Sequence, residues 1–457
     1  MAQPQGGYSP IQKWLQIYTQ DCVYKAIGKT YTRDNAACVT QMIADGQGME
    51  VLDEIKKFSS NSGAIDRKAL LFALALCAKS TSQDLKSKAG FGSSIRKSVQ
   101  RWYNQEEPIQ FVKLVTRYMS YESWSHRDVL RVVHPRGNTD STSLILKYLI
   151  QGLEETKKEF NKPEASEEIQ SLLGVVEDLH RVKHTSDEHE AARLIEKHSL
   201  KIEHVQTKFL HSKEILDALV SSMQLSELLE NLHYFAMSGY LEDSYKGCKD
   251  VIDMVKNEAS LKEQNVQPIE VLIATRRYEY GIGKAGKKMT WNINPSLVSA
   301  LNSAFDSCLK NNVKSTNKSF LIAARVGSNK KKTHCRGCVS LSSLMATAVM
   351  AVSLAKKEDK VDLVYFTDKV THIALSADTK MQNLCDELAS QALIAETLFE
   401  EKPPDPCDMS CPIRWALDNK KKVDAFLTIV DTRDSGKVMV SETLQQYRRE
   451  MKLPNTK

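Results

Sequence analysis

Val115–Gly137 reads VTRYMSYESWSHRDVLRVVHPRG. Its first part closes an apolar helix that carries Arg117. The second part predicts another helix, capped at its start by Ser123 or Ser125 and stopped by Pro135 with Gly137. Arg127, Arg131 and His134 follow one another at spacings of four and three, which stacks them on one helix face. Val129, Leu130, Val132 and Val133 supply the face to be buried. The wet side is then cationic, beside Tyr121 and Trp124. Guanidinium forks grip phosphate oxygens, and flat rings stack on unpaired bases. A solvated basic face is the plainer account of the same residues, and Trp124 fits a core role better than a stacking one.

From about Tyr8 to Asn311 almost every segment around this stretch keeps the helical period. AIDRKALLFALALCAK from Ala64, STSLILKYLIQGLEETKKEF from Ser141, SEEIQSLLGVVEDLHRV from Ser166 and LSELLENLHYFA from Leu225 are examples. Short turns join them and no strand-like alternation intervenes. Amphipathic helices in such a series stack as irregular helical-hairpin repeats of the HEAT type. The expected first domain is therefore 1–311, all helical.

The pattern changes across the polar connector NNVKSTNK, Asn311–Lys318. SFLIAARV (Ser319–Val326), VDLVYFTD (Val361–Asp368), VTHIALS (Val370–Ser376) and AFLTIVD (Ala425–Asp431) alternate with helices. Apolar β-rich runs between helices predict a parallel, doubly wound sheet over 319–457, smaller than the helical part. The run after Asp368 follows at once, so one antiparallel hairpin joins the same sheet. Because the chain ends at Lys457, a short or incomplete edge is expected.

The 457 residues carry a formal charge of +6, with 42% hydrophobic and 26% charged residues. These are values of a soluble globular chain of two or three domains, and the mild basic bias permits nucleic acid without demanding it. No secretory signal and no run of about twenty apolar residues is visible. The ten scattered cysteines read as reduced thiols, and the expected location is intracellular.

WSHRDVLRVVHP, with IADGQGMEVLDEIKKFS at Ile43–Ser59, LLFALALCAKS at Leu70–Ser80, IRKSVQRWYN at Ile95–Asn104 and VLIATRRYEYGIGKAGKKMTW at Val271–Trp291, resembles the TROVE module of the Ro ribonucleoprotein family (the Ro/SS-A autoantigens). PIRWA at Pro412–Ala416 and QQYRREMKLP at Gln445–Pro454 are similar to that family's von Willebrand factor A-type (vWA) domain. The resemblance implies a ring of helical repeats closed by the A-type domain. It further implies binding of small noncoding Y RNA on the outer face and of single-stranded ends of misfolded RNA in the central hole. It implies a role in noncoding-RNA stability and quality control, in the cytoplasm and also the nucleus, by a monomeric ribonucleoprotein. Arg117 and His134 match positions implicated in RNA contact, and Tyr121 falls where the family often has a basic residue. His126, Arg127 and Arg131 join them as expected Y RNA contacts. The segment between Ser80 and Arg96 is shorter than usual in the family, which trims part of that surface.

The A-type domain departs from its family. An Asp-x-Ser-x-Ser loop normally follows the first strand and binds a divalent cation through oxygen ligands. Here the corresponding residues are Arg325, Gly327 and Asn329, the distal threonine position is Cys407, and only Asp431 is retained. An arginine at the first ligand position repels a cation, so no cofactor is expected and divalent binding is expected to be lost, with Arg325 paired to Asp431.

GIGKAG at Gly281–Gly286 fits a dinucleotide fingerprint but follows a helix instead of a strand. It reads as a flexible basic turn in which Arg276, Arg277, Lys284, Lys287 and Lys288 face one acid, Glu279; this is the second expected RNA contact. HCRGC at His334–Cys338 lacks a second ligand pair, and His180 with His184 lacks a third ligand. No nucleophile meets a base, so no enzyme is expected. The rival reading is a protein–protein scaffold whose metal-free A-type domain docks a partner.

Overall fold

The computed structural model describes residues 11, 14, 15, 36–60, 67–79, 97, 100, 101, 103, 104, 107–117, 125–283, 288–325, 334, 335, 338–366, 369–399, 408–429 and 440–457. They form two compact units, Met1–Val251 and Ile252–Lys457.

The first unit is helical. Its elements are α1 (Ala37–Ala44), α2 (Gly48–Ser60), α3 (Arg67–Lys79), α4 (Pro108–Arg117), α5 (His126–Val133), α6 (Asp140–Gln151), α7 (Leu153–Phe160), α8 (Glu167–His184), α9 (Glu188–His198), α10 (Lys213–Val220), α11 (Leu225–Met237) and the start of α12 (Lys246–Lys256). Two short 3₁₀ turns, Ile202–His204 and Thr207–His211, sit between α9 and α10. Side-chain oxygens of Thr139, Ser166, Asp187 and Ser212 accept from the first free N–H groups of their helices, which sharpens each start. Neighbours in sequence are neighbours in space: α6 packs on α7 and α8, α8 on α9, and α9 on α10. Helix α3 is buried continuously from Ala69 to Cys77. A helix apolar all round needs cover on every side, and α2 and α5 both lie against α3.

The second unit continues with α13 (Glu258–Glu263), α14 (Pro268–Tyr280) and α15 (Pro295–Asn311) before the sheet begins. Strands β1 (Phe320–Arg325), β4 (Val361–Phe366), β5 (Val370–Ile373) and β6 (Ala425–Ile429) are ordered β5-β4-β1-β6. β4 and β6 run parallel to β1, and β5 folds back antiparallel on β4. The mixed sheet with one hairpin is the arrangement the alternating pattern predicts. Leu321 to Ala324 of central β1 are all buried, as a strand covered on both faces requires. Helix α16 (Ser343–Ala355) packs on β1 and β4 and against α17 (Met381–Phe399). Helices α18 (Cys411–Asp418) and α19 (Val440–Glu450) share a core with Leu321, Ala323, Val364 and Phe366 through Ile413, Ala416 and Tyr447. A separate small hairpin joins β2 (His334–Cys335) to β3 (Cys338–Ser342).

The boundary between the units lies well before the polar connector that the sequence marks. Helix α14 packs on β3, which binds the last helices to the sheet side. The connector itself is pinned: Glu358 accepts from Thr316 N (2.6 Å), Thr316 Oγ1 (2.7 Å) and Ser315 Oγ (3.0 Å). Asn312 Nδ2 meanwhile donates to the carbonyls of Leu261 (2.8 Å) and Val266 (2.7 Å). At the other end, Lys457 N donates to Asp424 O and Phe426 N to Lys457 O, both at 2.9 Å, which ties Lys457 to the backbone at the start of β6.

Candidate nucleic-acid interface

Helix α5 begins at Ser125. Its hydroxyl caps Asp128 N, while Asp128 Oδ2 accepts from Ser125 N at 2.9 Å, a reciprocal capping box. The helix ends at Val133, one residue earlier than the charge spacing implies. His134 adopts the left-handed conformation, φ 48°, and caps the end through its N–H to Leu130 O at 2.9 Å. The cause is Pro135, whose ring excludes helical geometry from the residue before it. His134 is thus exposed but out of register with Arg127 and Arg131, and the three do not form one stacked row.

The buried face is also rotated from the expected one. Val129, Leu130 and Val133 are in the core, Val132 is half-buried, and His126 is only 3% exposed. Tyr103 OH meets His126 Nδ1 at 3.0 Å, with the two rings edge to face. His126 is a satisfied core histidine and is withdrawn from the RNA-contact set. Arg127 is half-buried, its Nη2 reaching Ile150 O at 3.4 Å. Arg131 faces solvent.

Arg117 is a further correction. Its side chain, 12% exposed, donates to both carboxylate oxygens of Glu203 (2.8 and 3.0 Å) and to Glu227 Oε1 (2.7 Å). Lys201 Nζ adds a 3.1 Å contact to Glu227 Oε2. Burial opposes ionisation of Glu227, yet Arg117 and Lys201 hold its carboxyl below the usual range. Close by, Lys183 donates to the Thr116 carbonyl and is pushed down to about 8 by burial. His204 bonds Lys113 O at 3.1 Å and is pushed down to about 3 by burial, with Lys183 and Arg117 adding. The Arg117 guanidinium therefore joins α4, the Ile202–His204 turn and α11 internally.

In place of His126 and Arg117 the fold brings up cations that the spacing argument passed over. Gln100 Nε2 and Asn104 Nδ2 donate to the Arg136 carbonyl at 3.0 and 3.3 Å. Lys97 and Arg101 are exposed on that same helical face, four residues apart like Gln100 and Asn104. Lys97, Arg101 and Arg136 thereby join Arg131 and His134 around the Pro135 turn. Gly137 sets the closeness of that turn to α6, since a Cβ there would stand 2.6 Å from Ser143 N. The i,i+4 pair Lys97/Arg101 was the legible signal; its place beside Arg136 was not. Tyr121 and Trp124 lie outside the described residues.

At the second basic stretch, α14 ends in Gly281 at φ 65°, and Ile282 N closes the end on Arg277 O at 2.8 Å. Arg276 pairs with Glu279 at 3.0 Å and is part-buried, whereas Lys288 is exposed and bridges back to Ile282. Arg277 is half-buried and Tyr280 is 54% exposed. Trp291 folds over the helix end, its Nε1 donating to Tyr278 O at 2.9 Å. Ile282 and Lys288 thus face each other across one antiparallel bridge; Lys284 and Lys287 fall outside the described residues. His180 and His184 stack at 4.0 Å, with Tyr148 OH at 3.3 Å from His180 Nδ1.

In the sheet unit Arg325 closes β1 opposite Phe366 and is half-buried. Gly327, Asn329, Cys407 and Asp431 lie outside the described residues, so the pairing of Arg325 with Asp431 does too. A guanidinium at the end of β1 does not fit a divalent cation, and no group of three metal-ligating side chains occurs among the described residues. No helix among them is long and apolar enough to cross a membrane.

Comparison with known proteins agrees with both parts. The TROVE domain family matches residues 68–280, and the family described as the Ro60 vWA domain matches 319–457. The curated RNA-binding protein RO60 of Caenorhabditis elegans is 22% identical, the match covering 97% of this chain and 81% of the relative. RNA-binding protein RO60 of Deinococcus radiodurans is 25% identical over 88% and 72% respectively. The crystal structure of the Deinococcus radiodurans RO (RSR) protein shares the fold, with a TM-score of 0.74 at 21% identity over 97% of this chain and 90% of that one. With a TROVE domain followed by a Ro60-type von Willebrand factor A domain, the chain belongs to the Ro family of TROVE-module proteins.

Proposed function

We propose that this protein binds small noncoding RNA and acts in its stability and quality control as a ribonucleoprotein. The observation that carries the reading is the exposed group of cations around the Pro135 turn: Arg131, His134 and Arg136, with Lys97 and Arg101 from the neighbouring helical segment. Two relatives named as RNA-binding proteins support it. Arginines in such a group grip phosphate in bidentate fashion, and each neutralised phosphate makes affinity fall as salt rises. A bulged duplex of the Y RNA kind is the ligand this patch suits, because the group is too broad for one phosphate and offers no described aromatic platform. The basic stretch after α14, with Arg277, the exposed Tyr280 and Lys288, is read as the second RNA contact. The von Willebrand factor A domain is read as metal-free, the protein as a monomer, and its location as cytoplasmic and nuclear.

The test is the double variant Arg131→Ala/His134→Ala, titrated against a duplex-plus-bulge RNA. At about 1 kcal/mol or more per contact, affinity drops well over tenfold. Parent-like binding by the double variant removes the site assignment. Purification from the native cells with absorbance read at 260 and 280 nm separates RNA carriage from a protein-docking role.

A further inference from the structure

The sheet gathers lysines from separate stretches of sequence at one of its ends. Parallel register sets Phe320 beside both Val361 and Ala425, so the residues entering β1, β4 and β6 emerge at the same edge. Lys318 precedes β1, Lys360 precedes β4, and Lys422 precedes β6 by three residues. Lys420 closes the turn after α18 in the left-handed conformation, φ 52°. Lys452, φ 57°, does the same after α19, whose tail returns to this edge through Thr456 Oγ1 to Val423 O at 2.9 Å. All five lysines are exposed.

The carboxylates at this edge are largely committed to the fold. Glu358 is consumed by the connector, as described above. Asp424 accepts from both the N–H and the hydroxyl of Ser319 at 2.8 Å. Asp362 is shared between Lys421 (2.9 Å) and His372 (3.1 Å). Asp359 and Asp418 remain exposed, fewer than the lysines around them. Adjacent strands lie about 4.8 Å apart, so the lysine-bearing strand entries are spaced on the scale of successive backbone phosphates.

We propose that this edge, at the opposite end of the strands from Arg325, is a further polyanion site that holds the sugar-phosphate backbone of RNA without reading its sequence. Lysines on flexible stems act as point charges for phosphate and carry no base specificity. No large exposed apolar side chain among the described residues lies at this edge. A peptide partner would need such an anchor at the centre of its interface, and a bilayer would need one to insert.

The experiment uses the full chain and the triple variant Lys360→Gln/Lys420→Gln/Lys422→Gln, with its melting temperature checked against the parent. Both are titrated with a 20-nucleotide oligouridylate across a salt series. The variant is expected to show a log affinity against log salt slope shallower by about 2, and binding weaker about tenfold or more at low salt. Identical slope and affinity in parent and variant overturn the inference. So does loss of sedimentation with anionic vesicles while RNA binding is retained, which would make the edge a membrane contact. Arg131→Ala/His134→Ala and the triple variant are both titrated with the duplex-plus-bulge RNA as well: a deficit of the double variant there, with the triple variant parent-like on both RNAs, removes the edge and keeps the proposed function. Parent-like binding of the duplex-plus-bulge RNA by the double variant, with the triple variant impaired on oligouridylate, removes the Pro135 patch and keeps the edge.

Discussion

Arg117→Ala should destabilise the helical unit while leaving ligand affinity close to the parent's. The guanidinium is clamped between Glu203 and Glu227 at 2.7–3.0 Å, with side-chain exposures of 12%, 18% and 19% for the three residues. Removing the cation strands two part-buried carboxylates, with Glu227 keeping Lys201 Nζ at 3.1 Å and the Gln224 N–H at 3.3 Å. Breaking a buried pair from one side costs about 3–5 kcal/mol, and the residual exposure places this case near about 3. In a unit of this length, that loss lowers the melting temperature by about 6–12 °C. Thermal unfolding followed by far-ultraviolet circular dichroism reads it directly. Arg117→Met combined with Glu203→Gln and Glu227→Gln should recover most of the loss, because no charge is then left uncompensated. RNA affinity of the single variant, measured well below its melting point, should stay within about twofold of the parent. A melting temperature within about 2 °C of the parent, together with a tenfold loss of RNA affinity, would refute the argument and return Arg117 to the ligand-facing surface.

Other outcomes follow from the same geometry. His204, pushed from 6.5 down to about 3, is held neutral by the fold, so the stability it contributes is full above pH 6.5 and lost as pH falls toward 3. That amounts to about 2 kcal/mol by pH 5; His204→Gln should flatten this part of the unfolding-midpoint profile between pH 7 and 5, and an unchanged profile would contradict the assignment. Gly137→Ala drives a methyl to 2.6 Å from Ser143 N; backbone displacement should cost about 1–3 kcal/mol and weaken RNA binding through Arg136, and a parent-like melting curve would count against the close approach. Millimolar Mg²⁺ and EDTA should leave the melting temperature unchanged, because the half-buried Arg325 guanidinium at the end of β1 repels a cation there; a rise with Mg²⁺ that EDTA reverses would restore a metal site.

Much of the architecture was legible before any coordinates. Helical periodicity up to Asn311, the β-rich runs after Ser319 and the antiparallel hairpin at β4 and β5 all depend on local pattern, which neighbouring residues carry by themselves. The cap at Ser125 and the stop at Pro135 were equally local. The interface was less legible. Periodicity said that α5 has a wet and a dry face, but the division between them turned on Tyr103 and α3, which lie outside the helix. That is why His126 went into the core and Val132 came out to half-burial.

The order of residues alone thus determined which segments are helix and which are strand, and that two kinds of domain follow one another. Tertiary structure decided which charges remain available to a partner. Whether an arginine is a contact or a brace depends on what lies within about 3 Å of it. Arg117 meets two glutamates that are 86 and 110 residues away in sequence. Lys97, Arg101 and Arg136, and likewise the lysines at the sheet edge, become neighbours only when distant segments pack, since Coulomb attraction and burial act through space and not along the chain.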